Sequence, residues 1–277
     1  MSGRPAFRRH LAETRYGQLH LRTLGEGGTP LVLLHGSASA SGSWTGLAPG
    51  LAGERLVVMP DRLGCGGSDR PPRQLSMAEY AEATLDALDT LGIGCFDVVG
   101  LHTGSCEAIE LAVARPDRVR RVAVVEVPVF TAEEVTAFKA RYLTHPAPAE
   151  DGSHLLWYWR WWTVGGFAGS APRLRRWPLE LVQEWAVEHL SQLPDFWWPY
   201  HAAIEYPTAG RVGEIRQPLL VLSTGDDLVE QTGRARELLP PQAEIAALPG
   251  FDEVTCFFAW TPDDAAAVLA HLRLFLA

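Results

Sequence analysis

The sequence predicts an α/β fold in which a mostly parallel central sheet is flanked by helices and interrupted by an inserted helical lid. Three observations carry this prediction. Short apolar runs alternate with helical patterns, a glycine-flanked turn joins the third run to a helix, and one long aromatic segment breaks the rhythm. The strand-like runs are Pro30 to Leu34, Leu56 to Met59, Phe96 to Gly100, Val122 to Val127, Pro218 to Leu222 and Ala243 to Leu248. Most of them are apolar throughout rather than alternating, as expected for strands buried on both faces. Between the second and third, Ser76-Met77-Ala78-Glu79 reads as a capping box, and Tyr80, Ala81, Leu85 and Leu88 form the apolar face of the helix that it opens. The stretch 129–207 carries helical patterns punctuated by Pro and Gly and is read as the lid, so residues 1–128 and 208–277 form the core. Asp263 to Leu276 completes the chain as an amphipathic helix.

With 277 residues, 47% of them hydrophobic, the chain has ample material for one core with an insertion. A formal net charge of -9 and the absence of a basic stripe argue against nucleic acid as a partner. No apolar run reaches the roughly 18 residues of a membrane span, and the first ten residues lack a signal-peptide core, so a cytoplasmic protein without membrane attachment is expected. The 4 cysteines, Cys65, Cys95, Cys106 and Cys256, show no CxxC spacing, which points to reduced thiols and no zinc site. Lys139 is the lone lysine and lies in a charged helical segment, so imine chemistry is not expected. No cofactor is implied. The expected partner is a hydrophobic small-molecule substrate, and a homodimer is left open.

The stretch Gly100-Leu101-His102-Thr103-Gly104 has the spacing of a nucleophile elbow, in which an apolar strand turns sharply into a helix and exposes one side chain. Histidine stands where a serine is usual. An imidazole can take or give a proton near neutral pH, or attack as a nucleophile itself.

Other motifs fall in a recognisable order. Leu33-Leu34-His35-Gly36-Ser37 looks like a His-Gly turn after a strand, and Asp61-Arg62-Leu63-Gly64-Cys65-Gly66-Gly67-Ser68-Asp69 like an Asp-x-x-Gly-x-Gly-x-Ser loop. Ala114-Arg115-Pro116-Asp117-Arg118-Val119 looks like the turn that leaves the elbow helix, and Leu222-Ser223-Thr224-Gly225-Asp226-Asp227 like an acid-bearing loop. Over nearly the whole chain this order resembles the α/β-hydrolase superfamily, in particular its capped branch of haloalkane dehalogenases and epoxide hydrolases. The resemblance implies an oxyanion hole made by the amides of Ser37 and Thr103. It also implies an acid at Asp227, with Asp226 as its neighbour, or at Glu126, where some members keep theirs. Leu248-Pro249-Gly250-Phe251-Asp252-Glu253 matches the turn that carries the family's histidine, but Glu253 occupies the histidine's place. Beyond His201 the only histidine is His271, inside the terminal helix, so a serine–histidine–acid relay lacks two members.

His102 with Glu126, Asp227 and Glu253 is therefore the expected catalytic group, working by proton transfer with an enolate held at the two amides. Each acid also has a structural reading, Glu253 as a solvated loop acid, Asp227 as a loop brace and Glu126 as a salt-bridge partner. Cys65 and Cys106 read as packing residues, and Glu107 as a residue on the surface of the elbow helix. The lid carries Trp157, Trp159, Trp161, Trp162, Trp177, Trp185, Trp197 and Trp198, more indole than a small lid needs for its own core. Trp157, Trp161, Trp162, Trp197, Trp198 and His201, with His35, are assigned to substrate binding. An aromatic or polyketide-like substrate suggests cyclisation or carbon–carbon bond formation in specialised metabolism. The alternatives are a hydrolase, decarboxylase or carbon–carbon lyase that uses His102 as base or nucleophile, a cofactor-free oxygenase, and a binding protein without chemistry.

Overall fold

The sheet is built from β1 (Arg8–Thr14), β2 (Gly17–Leu24), β3 (Leu31–Leu34), β4 (Val57–Pro60), β5 (Phe96–Leu101), β6 (Val119–Val125), β7 (Leu219–Ser223) and β8 (Ala243–Ala247). This computed structural model describes residues 6–37, 39–142, 146–160, 179–225, 228–248, 260 and 262–277. The strands lie in one sheet in the order β1-β2-β4-β3-β5-β6-β7-β8. From β4 onward every pair is parallel, while β1 and β2 join as antiparallel strands at one edge. The six runs read from the sequence are β3 to β8. The antiparallel pair was not foreseen from the sequence, because β1 is largely polar and solvated, and only Leu19, Leu21 and Thr23 of β2 alternate into the interior.

Two apolar layers explain why the central strands are unbroken runs. Phe96 and Val98 of β5, Val122 and Val124 of β6, and Leu219 and Val221 of β7 pack on one face. Val99 and Leu101, Ala123 and Val125, and Leu220 and Leu222 pack on the other. The first face is covered by α1 (Met77–Thr90) and α2 (Thr103–Ala114), and the second by Trp44, Trp260 and α9 (Pro262–Leu276). The capping box at α1 forms as the sequence expects: the Glu79 amide donates to Ser76 Oγ at 3.3 Å and the Ser76 amide to Glu79 Oε2 at 2.8 Å. Trp260 stacks on Trp44 at 5.8 Å between ring centroids and donates its indole N–H to the Ser43 carbonyl at 3.0 Å.

Between β6 and β7 the described residues form α3 (Ala132–Tyr142), α4 (Ser153–Arg160), α5 (Leu179–Leu190), α6 (Trp198–Glu205) and the short α7 (Thr208–Arg211). A further helix, α8 (Val229–Ala235), follows β7. Tyr158, Phe196, Tyr200 and Ile204 make a separate small core in the lid segment, with Trp197 packed at its margin. Among the described residues no helix is long and apolar enough to cross a membrane.

Helix α2 is buried over residues 103–112, with no wet face. Its acids must therefore find partners inside the protein. Glu107, read from the sequence as a surface residue, is 1% exposed and takes two bonds from Arg62, at 2.9 Å from Nε and 2.7 Å from Nη2. Thr84 Oγ1 donates to its second oxygen at 2.6 Å. Burial disfavours the Arg62 charge, but Glu107 beside it raises the guanidinium above its ordinary value. The pair locks the loop after β4 to the elbow helix. Glu107→Ala is expected to lower unfolding free energy by about 3–5 kcal/mol, because it strands a buried guanidinium. The double variant Arg62→Met, Glu107→Leu should cost less than that single change; urea unfolding of both proteins checks the order.

Candidate active site

Strand β5 ends on a turn that only its glycines permit. A Cβ at Gly100 would lie 2.1 Å from the Gly104 carbonyl oxygen, and one at Gly104 would lie 2.1 Å from the Leu34 carbonyl oxygen. His102 between them has φ 51 and ψ -108 and is 4% exposed. Such a backbone costs a non-glycine residue about 1–3 kcal/mol, so its surroundings must impose it. The His102 amide donates to the Val125 carbonyl at 3.1 Å, and its own carbonyl accepts from the Ser105 amide at 2.9 Å. Its ring caps no amide of α2. Thr103 is the first residue of that helix, so its N–H has no acceptor within the helix and sits at the positive end of the dipole.

The neighbouring strand ends supply the other groups. Register pairs Leu34 with Gly100, Leu101 with Val125, and Val125 with Leu222, which brings His35, His102, Glu126 and Thr224 to the carboxyl ends of neighbouring central strands. Ser37 follows β3 and is fully buried, and its hydroxyl has no hydrogen-bond partner among the described residues. Glu126, at φ 59, is the other non-glycine residue with positive φ among the described residues. It is fully buried, and its Oε1 accepts from the Thr224 amide, from Thr224 Oγ1 at 2.9 Å and from the Gly225 amide at 3.2 Å.

His35, expected to touch substrate, spends both ring nitrogens on the backbone. Its Nδ1 donates to the Gly36 carbonyl at 2.7 Å, and its Nε2 accepts from the Arg62 amide at 2.9 Å. Only a neutral imidazole can do both. Burial, aided by the nearby Arg62 charge, pushes its pKa down to about 3. Asp61 is likewise committed to scaffold. Burial opposes its charge, but His20, the Gly67 amide and the Ser41 amide hold it down to about 2. Burial pushes Cys65 and Cys106 each up to about 12, which removes their thiolates at neutral pH.

Asp226, Asp227, Glu253, Trp161, Trp162 and Trp177 lie outside the described residues. Trp157 is 36% exposed and meets Tyr158 edge-on, and Trp197 meets both Trp198 and His201 edge-on. Among the described residues, the lid core is thus formed by Tyr158, Phe196 and Tyr200, with tryptophan at its margin. His201 hydrogen-bonds Gln74 and lines a cleft of about 700 Å³ between the start of α1 and α6, whose described lining does not include His102. The sequence reading missed Arg62 and Glu107. A signal was present, because a helix apolar on all sides makes any charge within it a paired one. Among the described residues no group of three His, Cys, Asp or Glu side chains is arranged to hold a metal ion.

The family described as alpha/beta hydrolase fold matches residues 29–240 of this chain. The chain belongs to that α/β-hydrolase family. It is 38% identical over 99 residues to 2-hydroxymuconate semialdehyde hydrolase of Pseudomonas sp. (strain CF600), covering 34% of this chain and 35% of that protein. It is 34% identical over 138 residues to fluoroacetate dehalogenase of Burkholderia sp, covering 45% of each. These matches thus span less than half the length of either relative. The crystal structure of the enol-lactonase from Burkholderia xenovorans LB400 superposes with a TM-score of 0.74 at 19% identity, over 96% of this chain and 99% of that one, and shows the shared fold.

These relatives overturn the expectation of cyclisation, carbon–carbon bond formation or polyketide metabolism, since the two sequence relatives named are a hydrolase and a dehalogenase. The error has a physical source. A missing serine removes one nucleophile, but hydrolysis needs only water as the attacker, which an imidazole is able to activate.

The His35 geometry has a pH consequence. Its charged form is penalised only in the folded chain, so stability is fully present above the ordinary value of 6.5 and falls as pH drops toward about 3. Between pH 7 and pH 5 the wild type should lose about 2 kcal/mol more than His35→Gln, as measured by denaturant unfolding at both pH values.

Proposed function

We propose that this α/β-hydrolase family member is a hydrolase that cleaves a bond beside a carbonyl in a hydrophobic small molecule, with His102 as the base that activates water. One observation carries the proposal: a buried imidazole on the β5–α2 bend at φ 51, next to the first amide of α2, in a chain whose relatives are hydrolytic enzymes. In this mechanism the neutral ring takes a proton from water while the hydroxide adds to the carbonyl carbon. The developing oxyanion is met by the amides of Ser37 and Thr103 and by the N-terminus of α2. The imidazolium then returns its proton to the leaving atom, and water has been added across the broken bond. No step needs a metal or a cofactor. Hydrolysis through a water molecule accounts for the lack of a hydroxyl at position 102 without a displaced serine.

The names of the relatives supply the chemistry to assay. An aryl ester, an enol-lactone and a semialdehyde or ketone of the dienoate class should be offered to the purified protein. Turnover of at least one is expected, with kcat reduced about 10²–10⁴-fold in His102→Ala while circular dichroism is unchanged. Mass spectrometry of acid-quenched turnover should find no acyl group on the protein. An adduct on His102 would replace the base with a nucleophile, and undiminished turnover in His102→Ala would end the proposal.

A further inference from the structure

Glu126 shares with His102 a backbone held at positive φ at the end of a central strand, yet its carboxylate faces away from solvent into the neighbouring chain segment. Among the described residues, Oε1 accepts from the end of β7 and the two residues that follow it. The donors are Ser223 Oγ at 3.5 Å, the Thr224 amide, Thr224 Oγ1 at 2.9 Å and the Gly225 amide at 3.2 Å. Two consecutive amides and a hydroxyl converging on one oxygen form the donor set of an anion-binding nest. Here the chain fills that nest with its own side chain. Gly225 has φ 75 and is followed directly in sequence by Asp226 and Asp227. The strands that carry the two partners are already in register, since the Glu126 amide donates to the Leu222 carbonyl at 2.9 Å. The side chain therefore extends the β6–β7 ladder by the two residues at which the backbone leaves the sheet.

We propose that Glu126 is a positioning residue, a clamp whose Oε1 sets where the chain departs from β7, directly beside the bend that carries His102. This role rests on the hydrolase proposal only where it concerns turnover. It differs from the role expected for Glu126 in the sequence, that of the acid whose charge supports the imidazole. A clamp needs an acceptor oxygen at the Oε1 position, which glutamine supplies and alanine does not. An electrostatic partner needs the charge, which neither supplies.

Glu126→Gln and Glu126→Ala separate the two roles, read by amide hydrogen exchange and by steady-state kinetics on whichever carbonyl compound the wild type hydrolyses. In Glu126→Ala the Thr224 and Gly225 amides should exchange about 10–100-fold faster, while those of Val124 and Val125 in β6 stay protected and report an intact fold. Its kcat should fall about 100-fold with KM little changed, the scale of a misplaced catalytic group. Glu126→Gln should stay within about threefold of wild type in both exchange and kcat. If Glu126→Gln loses as much turnover as Glu126→Ala while its two amides remain protected, Glu126 acts through its charge and the clamp is refuted. Unaltered exchange at Thr224 and Gly225 in Glu126→Ala refutes it as well, whatever the kinetics. A wild type that hydrolyses nothing in the panel removes the hydrolase proposal alone, because exchange still decides the clamp.

Discussion

A close backbone approach, where α2 presses against the ends of β3 and β5, constrains the residues around it. With 2.1 Å between a notional Cβ and a carbonyl oxygen at both Gly100 and Gly104, no other residue type fits either position. The contact forces the bend, and the bend forces residue 102 out of ordinary dihedral space. It also sinks the first ten residues of α2 into the interior. The acids of α2 follow from that burial: Glu107 is neutralised by Arg62, and Glu110 accepts from the Tyr206 hydroxyl at 2.9 Å and from Arg211 at 3.0 Å. The elbow and the two ion pairs are thus one structural unit.

What the sequence made legible was periodicity. Mainly apolar runs gave the six parallel strands, because burial on both faces leaves few polar positions in β3 to β7, while the edge strand β8 is largely solvated. The spacing Ser76 to Glu79 gave a helix start whose two reciprocal bonds are present. The glycines at 100 and 104 gave the elbow, since close approach leaves a compositional trace. Partners leave no such trace. Glu107 looked like a surface acid because its spacing from His102 says nothing of Arg62, which is 45 residues away along the chain. His35 looked like a substrate contact, yet one nitrogen serves its own turn and the other the Arg62 amide in the loop after β4. In the lid, Tyr158, Phe196, Tyr200 and Ile204 build the described core, while Trp161, Trp162 and Trp177 lie outside the described residues.

Substituting an imidazole for a hydroxyl at the bend changes which atom attacks. A serine there needs a second residue to remove its proton, and the chain carries Glu253 where that histidine would be. Under the proposed mechanism the imidazole stands where the nucleophile would act, and water takes over the attack. The amides of Ser37 and Thr103, being backbone groups, would serve either attacker, so the exchange is confined to one position.

The groups around the strand ends are tuned so that few of them titrate near neutrality. His35 is held down to about 3, Asp61 to about 2, and both buried thiols are pushed up to about 12. Glu188 on α5 is the exception. Burial, reinforced by the Asp61 charge and opposed by Arg22, pushes its carboxyl up to about 7. It lines a cleft of about 720 Å³ with His20, Arg22 and Asp61. The charged form is disfavoured only in the folded chain, so Glu188 withdraws stability as pH rises from its ordinary 4.5 through about 7. The described lining of that cleft does not include His102, so this cost falls on the packing of α5 against β2 and the loop after β4 rather than on the bend.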